Sequence, residues 1–343
     1  MDSKIPFLSD TLDRHQSWTH LQTIIPNLRR VTAAMLIRHK PGRRALIEYQ
    51  LETSDGPLSI LGKIRAKGTD WHSYNIQQAL WNAGWAADSL DRCSVPEPLG
   101  VIPDWHMGLQ RRVPGVPVTE ILPTAAGIPL ARRIAALARK LHHTPIPTPK
   151  NHTLTDELRI LHDRLPLVAD QHPQLRSRLT TLLQTCDTLA APLLPRPPAP
   201  SPTHLTHPPT SPSPHSPALI HRDFYPDQIL VDRDRLWLVD LDLCCQGDPA
   251  LDIGNFIAHL TEQSLRETGD PATMSAQETA FRDAYIQAAE GFHENHLRRA
   301  IAHYTLLSLV RHIHISTRIP SRRHLTAAML TLCETRLQPL REP

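Results

Sequence analysis

Short apolar runs separated by turn-forming residues mark the first part of the chain. The runs cover residues 31–38, 44–52 and 58–65, and the connections 40–43 and 54–57 both contain Gly and Pro. Apolar runs of this length bounded by turn residues are typical of β-strands. The pattern therefore predicts an antiparallel three-stranded meander.

Helical spacing of apolar residues takes over further along the chain. It covers about 70–87, then the stretch from about 129, and then 154–190, while shorter apolar runs around 98–102 and 106–112 predict two more strands. A small β-rich first part thus precedes a large helical second part. This order predicts an α+β chain with two lobes.

The pattern changes again after residue 217. Two apolar runs, 228–231 and 235–239, flank the turn 232–234 and predict a hairpin. Beyond it, Asp248 followed by Pro249 is the preferred opening of a helix, because Asp caps the first turn and Pro suits the first helical position. We expect helices from there to about residue 338.

Residues 192–217 differ from the rest of the chain in composition. They are dominated by Pro, Ser, Thr and His. Proline fixes φ and removes a backbone donor, so such a segment fits neither a helix nor the interior of a sheet. We predict a disordered, exposed insertion within the second lobe rather than a boundary between independent domains.

Composition and charge exclude some classes of protein. Apolar residues make up 40% and charged residues 21% of the 343 residues, which excludes wholesale disorder. Lys and Arg number 37 against 34 Asp and Glu, a formal net charge of +3. A dedicated nucleic-acid binder is far more basic, so we expect no nucleic-acid partner.

Cysteine usage and the hydropathy pattern predict a cytoplasmic location. The five cysteines include no C-x-x-C pair, so neither a disulfide framework nor a cysteine-based zinc site is expected. Residues 1–10 lack the basic and apolar regions of a signal peptide. No stretch approaches the roughly 18–20 apolar residues of a membrane span, so we expect no membrane partner.

The segment that begins at residue 221 carries the candidate chemistry. Asp223 follows His221 and Arg222, Gln228 comes five residues later, and Asp240 ends the predicted hairpin. Phosphoryl transfer needs a carboxylate at the attacking hydroxyl, oxygen ligands for Mg²⁺ and a cation at the phosphates. The spacing therefore predicts a metal-and-base cluster in which the carboxylates of Asp223 and Asp240 converge.

Three motifs in this segment resemble those of the aminoglycoside phosphotransferase and choline kinase family. The family pattern is H-G-D-x-H-P-x-N, then I-D-[FW]-[DE], then G-D-P-x-x-D-[LI]-[AG]. Here the matching residues are 221–228, 239–242 and 247–254. The resemblance implies a protein-kinase-like fold, with a nucleotide-binding lobe over 1–112 and a helical catalytic and substrate lobe over 113–343.

The same resemblance implies an activity and roles for the matching residues. The activity is transfer of the γ-phosphate of ATP, with Mg²⁺, to a hydroxyl of a small molecule such as an aminoglycoside, amino alcohol or sugar, by a monomer or homodimer. Asp223 corresponds to the catalytic base and Asp240 to the principal Mg²⁺ ligand. Gln228 holds the second metal-ligand position, Asp242 lies beside the metal, and Asp252 braces the catalytic loop.

In the first lobe the resemblance implies contacts with the nucleotide. Lys63, on the third predicted strand, is the candidate for the phosphates. The turn residues Arg43 and Arg44 are candidates for the phosphates too, since cationic side chains can replace backbone amides there. The hinge that holds the adenine corresponds to Gln110, Arg111 and Arg112.

Departures from the family pattern keep other functions open. Gln228 stands in place of Asn, no Glu occurs between Glu52 and Glu97 to pair with the lysine, and no G-x-G-x-x-G is present. A nucleotide-binding pseudokinase with impaired or no catalysis is therefore the alternative. A protein kinase ranks lower, because D-F-G and A-P-E segments are missing.

The acceptor is not encoded by any motif. Carboxylates in the helical part favour a cationic acceptor, whereas arginines near the end of the chain favour an anionic one. The candidates are Glu262, Glu267 and Asp283 for the first, and Arg311 and Arg318 for the second.

Overall fold

The computed structural model describes residues 2–191, 218–288 and 294–341, the last three without their side chains. The predicted insertion, 192–217, lies outside the described residues. Two compact units make up the chain, Met1–Pro117 with Gln228–Leu243, and Val118–Asp227 with Cys244–Pro343. The family resemblance instead implies a division after residue 112, with 228–243 in the second lobe.

The described helices and strands are numbered in chain order. The strands are β1 (Leu28–Lys40), β2 (Arg44–Thr53), β3 (Gly56–Arg65), β4 (Cys93–Ser94), β5 (Pro98–Ile102), β6 (Met107–Arg111), β7 (Val116–Pro117), β8 (Asn151–His152), β9 (Ala218–Ile220), β10 (Ile229–Asp232), β11 (Arg235–Leu238) and β12 (Cys245–Gly247). The helices are α1 (Arg14–Leu21), α2 (Trp71–Leu80), α3 (Gly127–His143), α4 (Leu154–Gln171), α5 (Arg176–Ala190), α6 (Pro249–Thr268), α7 (Ser275–Gln287), α8 (Glu294–Arg318) and α9 (Thr326–Arg341).

The first unit is built on an antiparallel five-stranded sheet of order β1-β2-β3-β6-β5. The predicted meander is therefore confirmed. Along β2, residues Ala45, Ile47, Tyr49 and Leu51 are buried and alternate with partly exposed ones. Alternation with a period of two puts these four side chains on one face of the sheet, where they belong to the apolar core.

A second, four-stranded sheet explains why residues 228–243 belong to the first unit. Its order is β4-β11-β10-β7. The predicted hairpin of β10 and β11 is confirmed, and its outer edges pair with β7 on one side and β4 on the other. These pairings join the hairpin to strands from the first part of the chain, although it follows most of the second unit in sequence.

The second unit consists mainly of helices α3 to α9, with the small sheet β8-β12-β9. The helical stretch predicted over 154–190 is two helices, because Pro173 opens a short 3₁₀ turn between α4 and α5. The predicted start of α6 is confirmed, since the Asp248 carboxylate accepts from the Ala250 N–H at 2.9 Å and Pro249 is the first helical residue.

Helices α6 and α8 approach closely at a glycine. A Cβ placed on Gly254 would lie 2.6 Å from the backbone nitrogen of Thr305, closer than real Cβ atoms come to backbone. Glycine at this position therefore lets α6 pack directly on the α8 backbone.

Among the residues described, no helix has the length and the apolar content that a membrane crossing requires.

Candidate active site

One face of the five-stranded sheet brings several cationic side chains together in the first unit. Register places Arg38 opposite Leu46, Leu46 opposite Lys63, and Arg44 opposite Arg65. Residues directly opposite each other in antiparallel strands share a face. The five residues line a cavity of about 300 Å³.

This cavity has a basic part and an apolar part. Besides the residues of the sheet face, Arg112 and the carboxylates of Asp240 and Asp242 line it. The apolar part is formed by Leu46, Leu61, Val113, Leu230 and Val239. Such a cavity suits a ligand that combines an apolar ring with a strongly anionic group.

Lys63 lies between two carboxylates in this cavity. Its Nζ is 3.6 Å from Asp240 Oδ1 and 3.9 Å from Asp242 Oδ1, and its side chain is 27% exposed. Removal from bulk water is the largest influence and lowers the pKa of Lys63, and the charge on Asp240 only partly offsets it. Aspartates that follow β11 thus pair with the lysine, in place of the helix glutamate that the sequence lacks.

Arg65 is a cavity residue that the sequence analysis missed. Its guanidinium contacts the Asp242 carboxylate, and its Nε lies 3.8 Å from Asp70 Oδ2. Asp70 caps α2 by accepting from the Ser73 N–H at 3.1 Å. The signal was present in the sequence, because Arg65 stands two residues after Lys63 on a strand and therefore shares its face.

The residues implied as metal ligands adjoin the end of the hairpin. The Val239 N–H donates to the Gln228 carbonyl at 2.9 Å, which sets Gln228 across from the residue before Asp240. Asp240 has a φ of 60°, a left-handed conformation that Asp tolerates better than most residues. In the described part of the chain, no three His, Cys, Asp or Glu side chains cluster as metal ligands would.

The donor set fits Mg²⁺ all the same. This ion takes one or two protein carboxylates and completes its shell with water and substrate phosphates. Asp240 and Asp242 supply two carboxylates to the cavity that holds the cationic side chains.

The remaining nucleotide candidates of the first unit divide into two groups. Arg44, Gln110 and Arg112 line the cavity. Arg43 is exposed in the turn, and Arg111 is ion-paired with Glu97 at 2.6 Å; neither lines the cavity.

The backbone of the predicted hinge is partly committed to the sheet. The N–H groups of Arg111 and Arg112 donate to the carbonyls of Glu97 and Ser59 at 2.8 and 2.9 Å. These two N–H groups are therefore already occupied by hydrogen bonds within the protein.

The loop that carries Asp223 lies in the second unit. Both oxygens of the buried Asp252 accept from this loop, Oδ2 from the His221 N–H at 2.6 Å and Oδ1 from the Arg222 N–H at 2.7 Å. Asp252 in turn contacts the His142 ring at 3.1 Å. Asp252 therefore braces the loop as the family resemblance implies, and Asp223 itself is partly buried.

The carboxylates considered for a cationic acceptor are already neutralised by arginines. The pairs are Glu262 with Arg266 and Arg322, Glu267 with Arg266, and Asp283 with Arg282 and Arg298. Arg311, considered for an anionic acceptor, contacts Asn255 and Glu157. Four of the five candidates for binding the acceptor are therefore already paired with side chains of the protein.

Comparison with known proteins gives one family match in sequence. The model of the phosphotransferase enzyme family, APH, matches residues 48–300, which is well over half of the chain. No curated protein matches the sequence.

Solved structures resemble the chain over most of its length. Amicoumacin kinase hAmiN, in complex with AMP-PNP, Ca²⁺ and Ami, is 15% identical, with 94% of this chain and 95% of that chain covered and a TM-score of 0.59. Spectinomycin phosphotransferase APH(9)-Ia, in complex with ADP and spectinomycin, is 11% identical, with 97% and 95% covered and a TM-score of 0.56.

A choline/ethanolamine kinase family protein from Mesorhizobium loti is also similar. It is 15% identical, with 89% of this chain and 88% of that chain covered and a TM-score of 0.56. At such identities the likeness concerns the fold. It confirms the predicted α+β, protein-kinase-like architecture with a β-rich and a mainly helical part.

Proposed function

Since this chain belongs to the phosphotransferase enzyme family, we propose that it is a small-molecule kinase that uses ATP and Mg²⁺. The observation that carries the proposal is the cavity in which Lys63 lies between Asp240 and Asp242, with Arg38, Arg44 and other cations around it. Cationic side chains and paired carboxylates together suit a metal-bound triphosphate.

Each side chain has a distinct part in the proposed reaction. Lys63 and Arg44 would bind phosphate oxygens, and Asp240, Asp242 and Gln228 would hold the metal. When bound, Mg²⁺ neutralises charge that develops on the phosphates.

Asp223 accepts the proton of the attacking hydroxyl. The acceptor oxygen then forms a bond to the γ-phosphorus, and the bond from that phosphorus to the bridging oxygen breaks. ADP leaves with the electron pair.

The acceptor in this proposal is an alcohol of a small molecule. Structures with the same fold are named for amicoumacin, spectinomycin and choline or ethanolamine. We therefore take an aminoglycoside, amino alcohol, sugar or similar compound as the substrate.

Calorimetry with and without Mg²⁺ tests the nucleotide part of the proposal. The wild type should bind ATP more tightly with Mg²⁺ than without it, and Asp240→Ala should remove that difference. Asp104→Ala, at an exposed carboxylate that does not line the cavity, is the control and should bind as the wild type does. Mg²⁺-independent binding in the wild type would contradict the assignment.

A pseudokinase is the second candidate, favoured by Gln228 and by the pairing of Lys63 with two aspartates instead of a helix glutamate. A screen of ADP release across aminoglycosides, amino alcohols, sugars and nucleosides separates the two functions. A kinase releases ADP with at least one acceptor, in proportion to phosphorylated product. Mg-ATP binding without ADP release from any acceptor would favour the pseudokinase.

A further inference from the structure

The loop that carries Asp223 is held on both sides of that residue. Asp252 binds the N–H groups of the two residues before it, as described above. On the far side, the Asn255 side chain donates from Nδ2 to the Phe224 carbonyl at 3.0 Å. Asn255 is fully buried, so its amide has no water to replace these bonds.

Arg311 fixes which way the Asn255 amide points. Its Nη2 donates to Asn255 Oδ1 at 2.6 Å. A guanidinium only donates hydrogen bonds, so it must meet the amide oxygen. The amide nitrogen is thereby left for the carbonyl of Phe224, the residue that follows Asp223.

A buried carboxylate holds Arg311 in turn. Arg311 Nη1 lies 3.6 Å from Oε2 of Glu157, and the His152 ring is 2.6 Å from Oε1 of the same carboxylate. Glu157 has no exposed surface. Burial alone would raise the pKa of Glu157, but the hydrogen bond to His152 and the charge of Arg311 outweigh it and lower the pKa.

These contacts form a polar chain through four elements, from α4 through α8 and α6 to the loop. Replacing a buried ion pair with apolar side chains is often neutral for stability. Stability alone therefore does not explain why charged residues occupy these positions. The hydrogen bond at the end of this series of contacts, to the Phe224 carbonyl, explains it.

We propose that Arg311 is a positioning residue that, through Asn255, sets the backbone next to Asp223. The proposal rests on the proposed function, in which Asp223 accepts the hydroxyl proton. Arg311 is then needed for the rate of transfer and not for binding of nucleotide.

The test uses the double variant Glu157→Gln with Arg311→Met, which removes the ion pair without leaving one charge alone. Hydrogen exchange of the amides at 221–224 should accelerate by about tenfold, since a local brace is lost. The kcat should fall by about tenfold or more, because a shift of about 1 Å can cost about 100-fold. The affinity for Mg-ATP should stay within about twofold, because neither substituted residue lines the cavity.

The control is Glu278→Gln with Arg336→Met, a second carboxylate and arginine pair of the same unit, which lies 3.9 Å apart and contacts Thr261 rather than the loop. It should keep the exchange rates and kcat of the wild type. Asn255→Asp, which accepts from Arg311 but cannot donate to Phe224, should reproduce the loss of kcat.

Unchanged exchange at 221–224 in the double variant overturns the proposal, and so does faster exchange with an unchanged kcat. Should the wild type transfer phosphate to no acceptor, the proposed function fails. The exchange experiment then still decides whether Arg311 holds the loop.

Discussion

Lys63 is a cavity residue whose charge depends on its surroundings. It is only partly exposed, it faces Asp240 and Asp242, and Arg65 lies nearby. Burial and Arg65 lower its pKa, and Asp240 opposes them. The lysine therefore loses its proton at a lower pH than an ordinary lysine does.

This shift predicts how nucleotide binding depends on pH. The charged lysine attracts phosphate, so affinity for Mg-ATP should be constant below the pKa of Lys63 and fall as pH rises through it. In Lys63→Arg the guanidinium stays charged, so affinity should remain level up to about pH 10. Titration calorimetry over the alkaline range, up to about pH 10, measures both profiles.

The matched control is Lys67→Arg, at an exposed lysine near the end of the same strand. It should keep the profile of the wild type. Identical profiles for the wild type and Lys63→Arg would show that Lys63 does not bind the phosphates.

Arg222 occupies a backbone conformation that favours glycine. Its φ is 69°, and the family pattern has glycine at this position. A left-handed residue other than glycine costs about 1–2 kcal/mol. The hydrogen bond from its N–H to Asp252 helps to hold this conformation.

Two substitutions of Arg222 separate this strain from loss of the side chain. Arg222→Gly should be more stable than Arg222→Ala by about 0.5–1 kcal/mol, because glycine relieves the strain but adds entropy to the unfolded chain. Denaturant unfolding measures the difference. Arg159 is an exposed residue of α4, and there the alanine variant should instead be more stable than the glycine variant by about 1 kcal/mol. The same order of stability at both positions would contradict the account.

Among the elements, α6 combines several supports of the loop that carries Asp223. It begins at the cap Asp248, carries Asp252 and Asn255 on its first turns, and packs through Gly254 against α8. The position of α6 against α8 therefore sets where both braces of the loop lie.

Gly254→Ala tests the close packing of these helices. The added methyl would meet the α8 backbone, and overpacking of this kind costs about 1–3 kcal/mol. Gly108→Ala is the control, because a Cβ there meets no atom within 4 Å; its effect should stay within about 0.5 kcal/mol. Thermal or denaturant unfolding of both variants gives the comparison, and equal effects would contradict the proposed close approach.

Elements with a clear period could be predicted from the sequence, and others could not. The meander was predictable because short apolar runs and turns with Gly and Pro mark the strands, and the α6 cap because Asp248 and Pro249 are adjacent. The two-residue strands β4 and β7 are too short to show a period. Their pairing with β10 and β11 joins distant segments, so the placement of 228–243 could not be predicted.

The residues of the candidate site also divide into those that could be predicted from the sequence and those that could not. Lys63, Asp240 and Asp242 were predictable because motif and spacing mark them, and they line one cavity. Arg38 and Arg65 were missed, since their place beside Lys63 follows from strand register. Arg111 was named for backbone contacts of the implied hinge, and its side chain pairs with Glu97 and does not line the cavity.

At the scale of the whole molecule, the net charge is small, yet one cavity of the first unit gathers several cationic side chains. The net charge is only +3 over the full chain, while the cavity combines Arg38, Arg44, Lys63, Arg65 and Arg112 with two carboxylates. Such focusing raises the local concentration of an anionic ligand. It agrees with a phosphate-bearing substrate and with membership of the phosphotransferase enzyme family.

The central claim is that Asp223 acts in the chemistry of a reaction whose nucleotide the cavity binds. Asp223→Asn tests it most directly, by measuring transfer of labelled γ-phosphate beside calorimetric binding of Mg-ATP. Asp234→Asn, at an exposed turn carboxylate, is the matched control and should keep both properties. We predict that Asp223→Asn loses turnover and binds nucleotide nearly as the wild type does; retained phosphate transfer in this variant would contradict the account.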